Sequence, residues 1–262
     1  MKNFQRRMIQ LAATVLTNPF AANFFAGRIY RGGLKNFCAP GLNCWSCPAA
    51  ALSCPVGAMQ TLSFYAVGVT LLVGLFLGRA VCGFLCPFGF LQELLNKIPS
   101  PKISLPRKIF RAKYFFLAAF VLIGPLVTEF NAPTFCQYIC PAGTLEAGLP
   151  LVAANENLRE ILGGLFALKV SILLGVIVGC VVAHRFFCRA ICPLGALYGL
   201  LNRWSFYRLN FDGDRCIDCG RCRKICPLEL NPTREFNSAE CVRCGRCVAA
   251  CPTNALTDTA PR

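Results

Sequence analysis

The sequence predicts an all-α membrane domain of about four transmembrane helices, arranged as an internal two-fold repeat, followed by a small α+β ferredoxin-like domain holding two 4Fe-4S clusters. Three observations predict it: a mean hydropathy of +0.53 over 262 residues, cysteine pairs recurring in two matching halves, and a doubled C-x2-C-x2-C-x3-C-P motif near the C-terminus. The expected boundary gives a membrane domain over 1–205 and a cytoplasmic ferredoxin module over 206–262.

Four apolar windows approach the roughly 20 residues that cross a hydrocarbon core. They cover 8–26, 62–78, 114–128 and 163–183. Asn18-Pro19 and Asn23 interrupt the first, so an interfacial anchor is its alternative. A cleaved signal peptide is a rival for that end, but no small-x-small cleavage site follows the stretch after Arg6 and Arg7.

Lysine and arginine in short loops stay on the cytoplasmic side. Lys2, Arg6, Arg7, Arg79, Lys97, Lys102, Arg107, Lys108, Arg111, Lys113, Arg185, Arg189 and Arg203 fall on one side, against Arg28, Arg31, Lys35 and Arg159 on the other. Both termini and the ferredoxin module are therefore expected inside, on a multi-pass protein of the inner (cytoplasmic) membrane. The net charge of +15 follows from that topology. No nucleic-acid module is visible, so no nucleic-acid partner is expected.

In the C-terminal motif three closely spaced thiolates wrap one cubane, and the fourth, after a proline-terminated turn, reaches the other cluster. Cys216, Cys219, Cys222 and Cys251 are thus expected on one [4Fe-4S], and Cys241, Cys244, Cys247 and Cys226 on its partner. Zinc sites show separated C-x2-C knuckles rather than this doubled run. Disulfides are disfavoured because nineteen cysteines leave one unpaired and the spacing suits ligation.

The membrane part reads as one unit written twice. GRAVCGFLCPFGFLQELLNK (78–97) matches HRFFCRAICPLGALYGLLNR (184–203), which pairs Cys82 and Cys86 with Cys188 and Cys192. More loosely, CPAAALSCPVGAMQ (47–60) matches CQYICPAGTLEA (136–147), pairing Cys47 and Cys54 with Cys136 and Cys140. A cubane needs four thiolates, so Cys82, Cys86, Cys188 and Cys192 are expected to hold a third cluster near the inner face. Cys47, Cys54, Cys136 and Cys140 are expected to hold a fourth nearer the outer face. The rival pairing, within one half, is disfavoured because a spanning helix separates such pairs by roughly 30 Å unless the outer loop dips inward. Cys38 and Cys44 lie beside the outer set and either replace Cys47 or bind something else; Cys180, alone in mid-span, is expected to be packing.

Lys169 interrupts the fourth window, where a cation is expensive. It is expected to snorkel, to neutralise the outer cluster, or to face a quinone ring. Glu146, with Tyr138 and Glu129, is the candidate proton acceptor for quinol oxidation. His184 is the single histidine, which excludes bis-histidine haem within these residues, and no C-x-x-C-H motif attaches a c-type haem. No Walker loop or helix-opening G-x-G-x-x-G occurs.

These residues resemble the membrane polyferredoxins, exemplified by the H subunit of periplasmic nitrate reductase systems and the membrane region of the nitrous oxide reductase regulator. The resemblance rests on the Cys82/Cys86 and Cys188/Cys192 pairs, on CPLGALYG at 192–199 and on the doubled ferredoxin motif. It implies electron exchange between the quinone pool and redox partners: a ferredoxin- or flavodoxin-type carrier inside and a flavin or other redox subunit outside. The outer pairs depart from the nitrate reductase subunit, and no flavin-binding domain is appended. Whether the chain is itself an enzyme, as part of a quinol dehydrogenase, is left open. A cupric or other metal reductase or assembly factor is a second possibility, and a redox-sensing or anchoring subunit a third.

Overall fold

The computed structural model describes residues 3–128 and 132–259 of the chain. Glu129 lies outside the described residues. Apart from a two-stranded sheet in the C-terminal module, the described elements are helices.

Two helices are long and apolar enough to cross a membrane: Arg107–Val127, with mean hydropathy 1.6, and Gly164–Val182, with 2.6. The second window forms a shorter apolar helix, Phe64–Leu77. Ser63 starts it by accepting from the Ala66 N–H, and Gly78 stops it in the left-handed region at φ +54°. A side chain at Gly78 would sit 2.5 Å from Asn202 Oδ1, so glycine is required there for space as well as conformation. The first window gives the helix Asn3–Thr17, which ends just before Asn18-Pro19.

These helices place polar and small residues inward and large apolar ones outward. In Asn3–Thr17, Arg6, Gln10 and Thr17 are buried while Phe4, Met8, Val15 and Leu16 are exposed. In Phe64–Leu77, Ala66, Thr70 and Gly74 are buried while Phe64, Leu72 and Phe76 are exposed. Water would oppose that arrangement, whereas a lipid or protein surround satisfies it.

The Arg107–Val127 helix contains a widened π stretch, Leu117–Ile123. Pro125 offers no N–H to the Phe120 carbonyl in that register, and Thr134 Oγ1 donates to it instead at 2.6 Å.

Four short helices begin at Pro55, Pro87, Pro141 and Pro193, each directly after a cysteine. Proline suits the first helical position, because its φ is already helical and an N–H there has no partner to lose. Cys86 and Cys192 cap their own helices by accepting from the Gly89 and Gly195 N–H groups at 3.4 Å.

A buried ion triad ties the bundle. Glu93 takes Arg6 on both carboxylate oxygens, at 2.8 and 2.6 Å, and Arg185 on Oε1 at 2.5 Å. Three segments distant in sequence thus meet at one carboxylate.

The C-terminal module pairs Arg208–Phe211 antiparallel with Leu256–Thr259, with Leu209 opposite Asp258. Two short helices, Arg221–Ile225 and Arg246–Ala250, complete it. It docks through Glu240, which meets Arg79 at 3.1 Å and Lys113, and through Glu235, which meets Arg107 at 2.6 Å. Arg189 also donates to the Leu228 carbonyl while stacking 3.9 Å above Phe110.

Candidate metal centres

In the C-terminal module, one cavity of about 140 Å³ is lined by Cys216, Cys219, Cys222 and Cys251. A second, of about 20 Å³, is lined by Cys226, Cys241, Cys244 and Cys247. The fold therefore gathers the thiols crosswise, three from one run and the last from the other. Gly220 and Gly245, at φ +67° and +72°, turn the backbone between the second and third cysteine of each run.

In the helical bundle, Cys82, Cys86, Cys188 and Cys192 are buried and lie within electrostatic reach of one another. We call them the central quartet. Gln92 clamps it: Nε2 donates to Cys188 Sγ at 2.9 Å and Oε1 accepts the Cys188 N–H at 3.3 Å. Two arginines cross between the halves. Arg79, three residues before Cys82, donates to the Cys188 carbonyl at 3.0 Å; Arg185, three residues before Cys188, donates to the Cys82 carbonyl at 2.6 Å. Cys180 donates to Gln92 Oε1 at 3.5 Å, so it packs behind the clamp.

A second group surrounds a cavity of about 680 Å³ lined by Cys38, Cys44, Cys54, Cys136, Cys140 and Lys169, with Trp45 and Tyr65. Cys44, Cys54, Cys136 and Cys140 are in mutual electrostatic reach, and burial pushes the Cys54 thiol up to about 12. Cys47 is not among the lining residues; it packs with Ala49, Ala50, Phe24 and Cys44 and donates to Asn18 Oδ1 at 3.9 Å. Lys169 donates to the Cys136 carbonyl at 3.2 Å, which brings it to this group. Glu146 accepts the Cys44 N–H at 2.8 Å, and although its own surface is half-buried, the surrounding protein raises its carboxyl to about 7 by burial. Tyr138 is exposed.

The two groups are neighbours, whereas the sequence places them at opposite ends of a span. The loop carrying Cys38 and Cys44 dips inward. A side chain at Gly41 would lie 2.7 Å from Cys86 Cα, and the Leu42 N–H donates to Cys86 Sγ at 3.4 Å. Cys44 is two residues farther, at most about 7.6 Å along the backbone. The roughly 30 Å that helix length would impose does not apply, because the outer loop dips inward, the exception that the sequence leaves open.

Charge tests what these thiols can hold. Among the described residues Arg6, Lys35, Arg79, Lys113, Arg185, Arg189 and Arg243 are buried; Glu93 pairs with Arg6 and Arg185 and Glu240 with Arg79 and Lys113, which leaves Lys35, Arg189 and Arg243 without a salt bridge to a carboxylate among the described residues. The Nε atoms of Arg6, Arg79, Arg189 and Arg243 have no partner. An uncompensated buried cation costs several kcal/mol. A cubane on four thiolates is a net anion, so it supplies the missing charge. Among the described residues no three His, Cys, Asp or Glu converge at single-ion spacing. The two ferredoxin sets and the group of Cys44, Cys54, Cys136 and Cys140 ring a cavity instead, as a four-iron body requires, and the central quartet is gathered within electrostatic reach. The residues therefore fit [4Fe-4S] clusters.

Replacing Cys219 by serine is expected to unfold the C-terminal module, whose small core depends on its metal groups. Cys180→Ser, whose hydroxyl can still donate to Gln92, is expected to leave all iron in place; equal iron loss in both variants would refute the distinction.

A family model described as a 4Fe-4S binding domain matches three stretches, 63–106, 114–149 and 165–210. Two further 4Fe-4S binding domain models match 213–231 and 234–257. MJ0750, an uncharacterised protein of Methanocaldococcus jannaschii, is 31% identical over 177 residues, covering 64% of this chain and 67% of that protein. The methylamine utilization ferredoxin-type protein MauN of Paracoccus denitrificans is 31% identical over 186 residues, covering 70% of this chain and 56% of MauN. The regulatory protein NosR of Stutzerimonas stutzeri is 30% identical over 161 residues, covering 58% of this chain and 20% of NosR. The chain spans about half to two thirds of the length of curated relatives such as MJ0750 and MauN. No solved structure matches it.

Proposed function

The chain belongs to the membrane polyferredoxins, a family of 4Fe-4S electron-transport proteins, and from that premise we propose that it forms a conduit through a cell membrane. It passes electrons between a ferredoxin- or flavodoxin-type carrier on the cytoplasmic side and a quinone or extracytoplasmic redox partner. The observation that carries this reading is the unbroken succession of four thiol groups. The cavity group adjoins the central quartet through Leu42 and Cys86. The central quartet shares its core with Cys226, Cys241 and Cys244. Cys241 and Cys247 in turn pack with Cys222 and Cys251.

Each cluster, when bound, supplies one-electron transfer at a potential set by burial, nearby charge and hydrogen bonds to sulfur. The protein's part is to fix those three quantities. Gln92 and the Leu42 N–H donate to sulfur, and buried Arg79 and Arg185 favour the more negative, reduced state. The dense packing around the central quartet keeps water out.

A quinone end is supported by the size of the cavity. About 140 Å³ surrounds one ferredoxin set, whereas about 680 Å³ lies beside Cys44, Cys54, Cys136 and Cys140. The larger space accommodates a second, aromatic-flanked occupant between Trp45, Tyr65 and Lys169. Lys169→Ala, which removes a charged donor worth about 1.5 kcal/mol, is expected to slow oxidation of the reduced protein by a quinone analogue roughly tenfold, with iron content unchanged. An unchanged rate would remove Lys169 from that role.

Four apolar segments crossing the bilayer, with the C-terminal module inside, complete the proposed topology. It is supported by the outward-facing apolar side chains. Anaerobic iron and sulfide quantitation with redox-titrated EPR tests the conduit: about sixteen irons per chain are expected, and about eight would reduce the protein to a tethered ferredoxin.

A further inference from the structure

We propose that the cavity group takes Cys44, and not Cys47, as its fourth thiolate, and that Glu146 is the residue that positions it. This rests on the reading that the bundle holds clusters. Ligation costs the Cys44 thiol its proton, forms one iron–sulfur bond and changes no oxidation state.

The inference comes from a four-fold regularity. Each cysteine that opens a C-P-x-G string is followed six residues later by a polar side chain: Gln60 after Cys54, Gln92 after Cys86, Glu146 after Cys140 and Tyr198 after Cys192. The first turns of the helix point that position across the bundle at the opposite half. Gln92 reaches Cys188, donating to its sulfur and accepting its N–H. Gln60 does the same at the other group: Nε2 donates to Cys136 Sγ at 3.3 Å and Oε1 accepts the Phe135 N–H at 2.7 Å. Both amides also donate back to the carbonyl four residues earlier, Phe88 for Gln92 and Val56 for Gln60. In both cases the partner is the first cysteine of the opposing pair, or its neighbour.

Glu146 completes the pattern. It reaches from the Cys140 helix to the Cys44 N–H at 2.8 Å, so Cys44 occupies the place that Cys136 holds under Gln60. A second symmetry agrees. A side chain at Gly57, in the Cys54 turn, would meet Cys136 Sγ at 3.9 Å; one at Gly143, in the Cys140 turn, would meet Cys44 Sγ at 3.6 Å. Cys47 packs beside Cys44, but it is absent from the cavity lining, its Sγ donates to Asn18 Oδ1 at 3.9 Å, and its carbonyl is taken by Lys35 at 3.2 Å. Tyr198 is the exception, because its hydroxyl donates to the Pro40 carbonyl at 2.8 Å and so holds the inward-dipping loop rather than a cysteine.

The test is anaerobic iron and sulfide quantitation with EPR on the purified full chain and four variants. Wild type and Cys47→Ala are expected to hold about sixteen irons, and Cys44→Ala about twelve. Glu146→Gln is expected to keep about sixteen, because the amide oxygen still accepts the Cys44 N–H, whereas Glu146→Leu drops toward twelve. The ferredoxin-module EPR signals report folding in every sample. Should Cys44→Ala not accumulate, Cys47→Ala and the two Glu146 variants decide. Loss of four irons in Cys47→Ala, or equal iron in Glu146→Gln and Glu146→Leu, overturns the assignment while the conduit stands. About eight irons in wild type overturns both.

Discussion

Glu93→Leu is expected to lower the stability of the bundle by about 3–5 kcal/mol, the cost of leaving a buried charge without its partner. Arg6 is 1% exposed and Arg185 fully buried, and the same carboxylate serves both. Each guanidinium also holds a carbonyl next to the central quartet, Gly83 for Arg6 and Cys82 for Arg185. The loss is therefore expected to loosen the Cys82 turn as well as the packing of the first helix. Denaturant titration in detergent, followed by cluster absorbance, measures it; a change under about 1 kcal/mol, the worth of an exposed pair, would show that solvent reaches the site. Burial raises the Glu93 carboxyl, but Arg185 and Arg6 outweigh it and hold the group at about 2. A carboxylate lowered on folding stabilises above its unfolded value and loses that contribution as pH falls through the folded value. The difference between wild type and variant is expected in full above about pH 4.3 and to shrink as pH falls toward 2.

The paired substitution Cys82→Ala with Cys188→Ala is expected to remove about four of about sixteen irons and to disconnect the two ends of the protein. The central quartet shares one core both with Cys54 and Cys140 of the cavity group and with Cys226, Cys241 and Cys244 of the C-terminal module. A low-potential reductant supplied to the C-terminal module is then expected to reduce its own clusters and to leave the cavity cluster oxidised. Loss of that long-range reduction, with the ferredoxin EPR signals intact, is the expected readout. Reduction of all remaining clusters at the wild-type rate would show that electrons enter elsewhere.

The crosswise gathering of the ferredoxin thiols was legible because fixed short spacings and a proline stop encode it locally. The same holds for Cys82, Cys86, Cys188 and Cys192, whose two pairs occupy matching places in a repeated string. Lys169 stood out as a cation in an apolar window and Glu146 as a carboxylate beside Cys140, and both lie at the cavity group. Gln60 and Gln92 were missed although a signal existed: the C-P-x-G string recurs four times, and the sixth residue after its cysteine is always polar. Two expected spans are long helices, Phe64–Leu77 is shorter, and the first window yields an amphipathic helix with Arg6 turned inward. Hydropathy sums a window and does not see which face a residue takes.

The sequence by itself determined which thiols gather within a turn or a repeat, because short fixed spacings limit how far apart those side chains can lie. Only the tertiary structure decided that the Cys44 loop folds into the bundle, that Arg79 and Arg185 exchange halves, and that Glu93 joins three segments. Those contacts join residues dozens of positions apart, and their pairing is set by which buried charges and carbonyls must be satisfied once water is excluded.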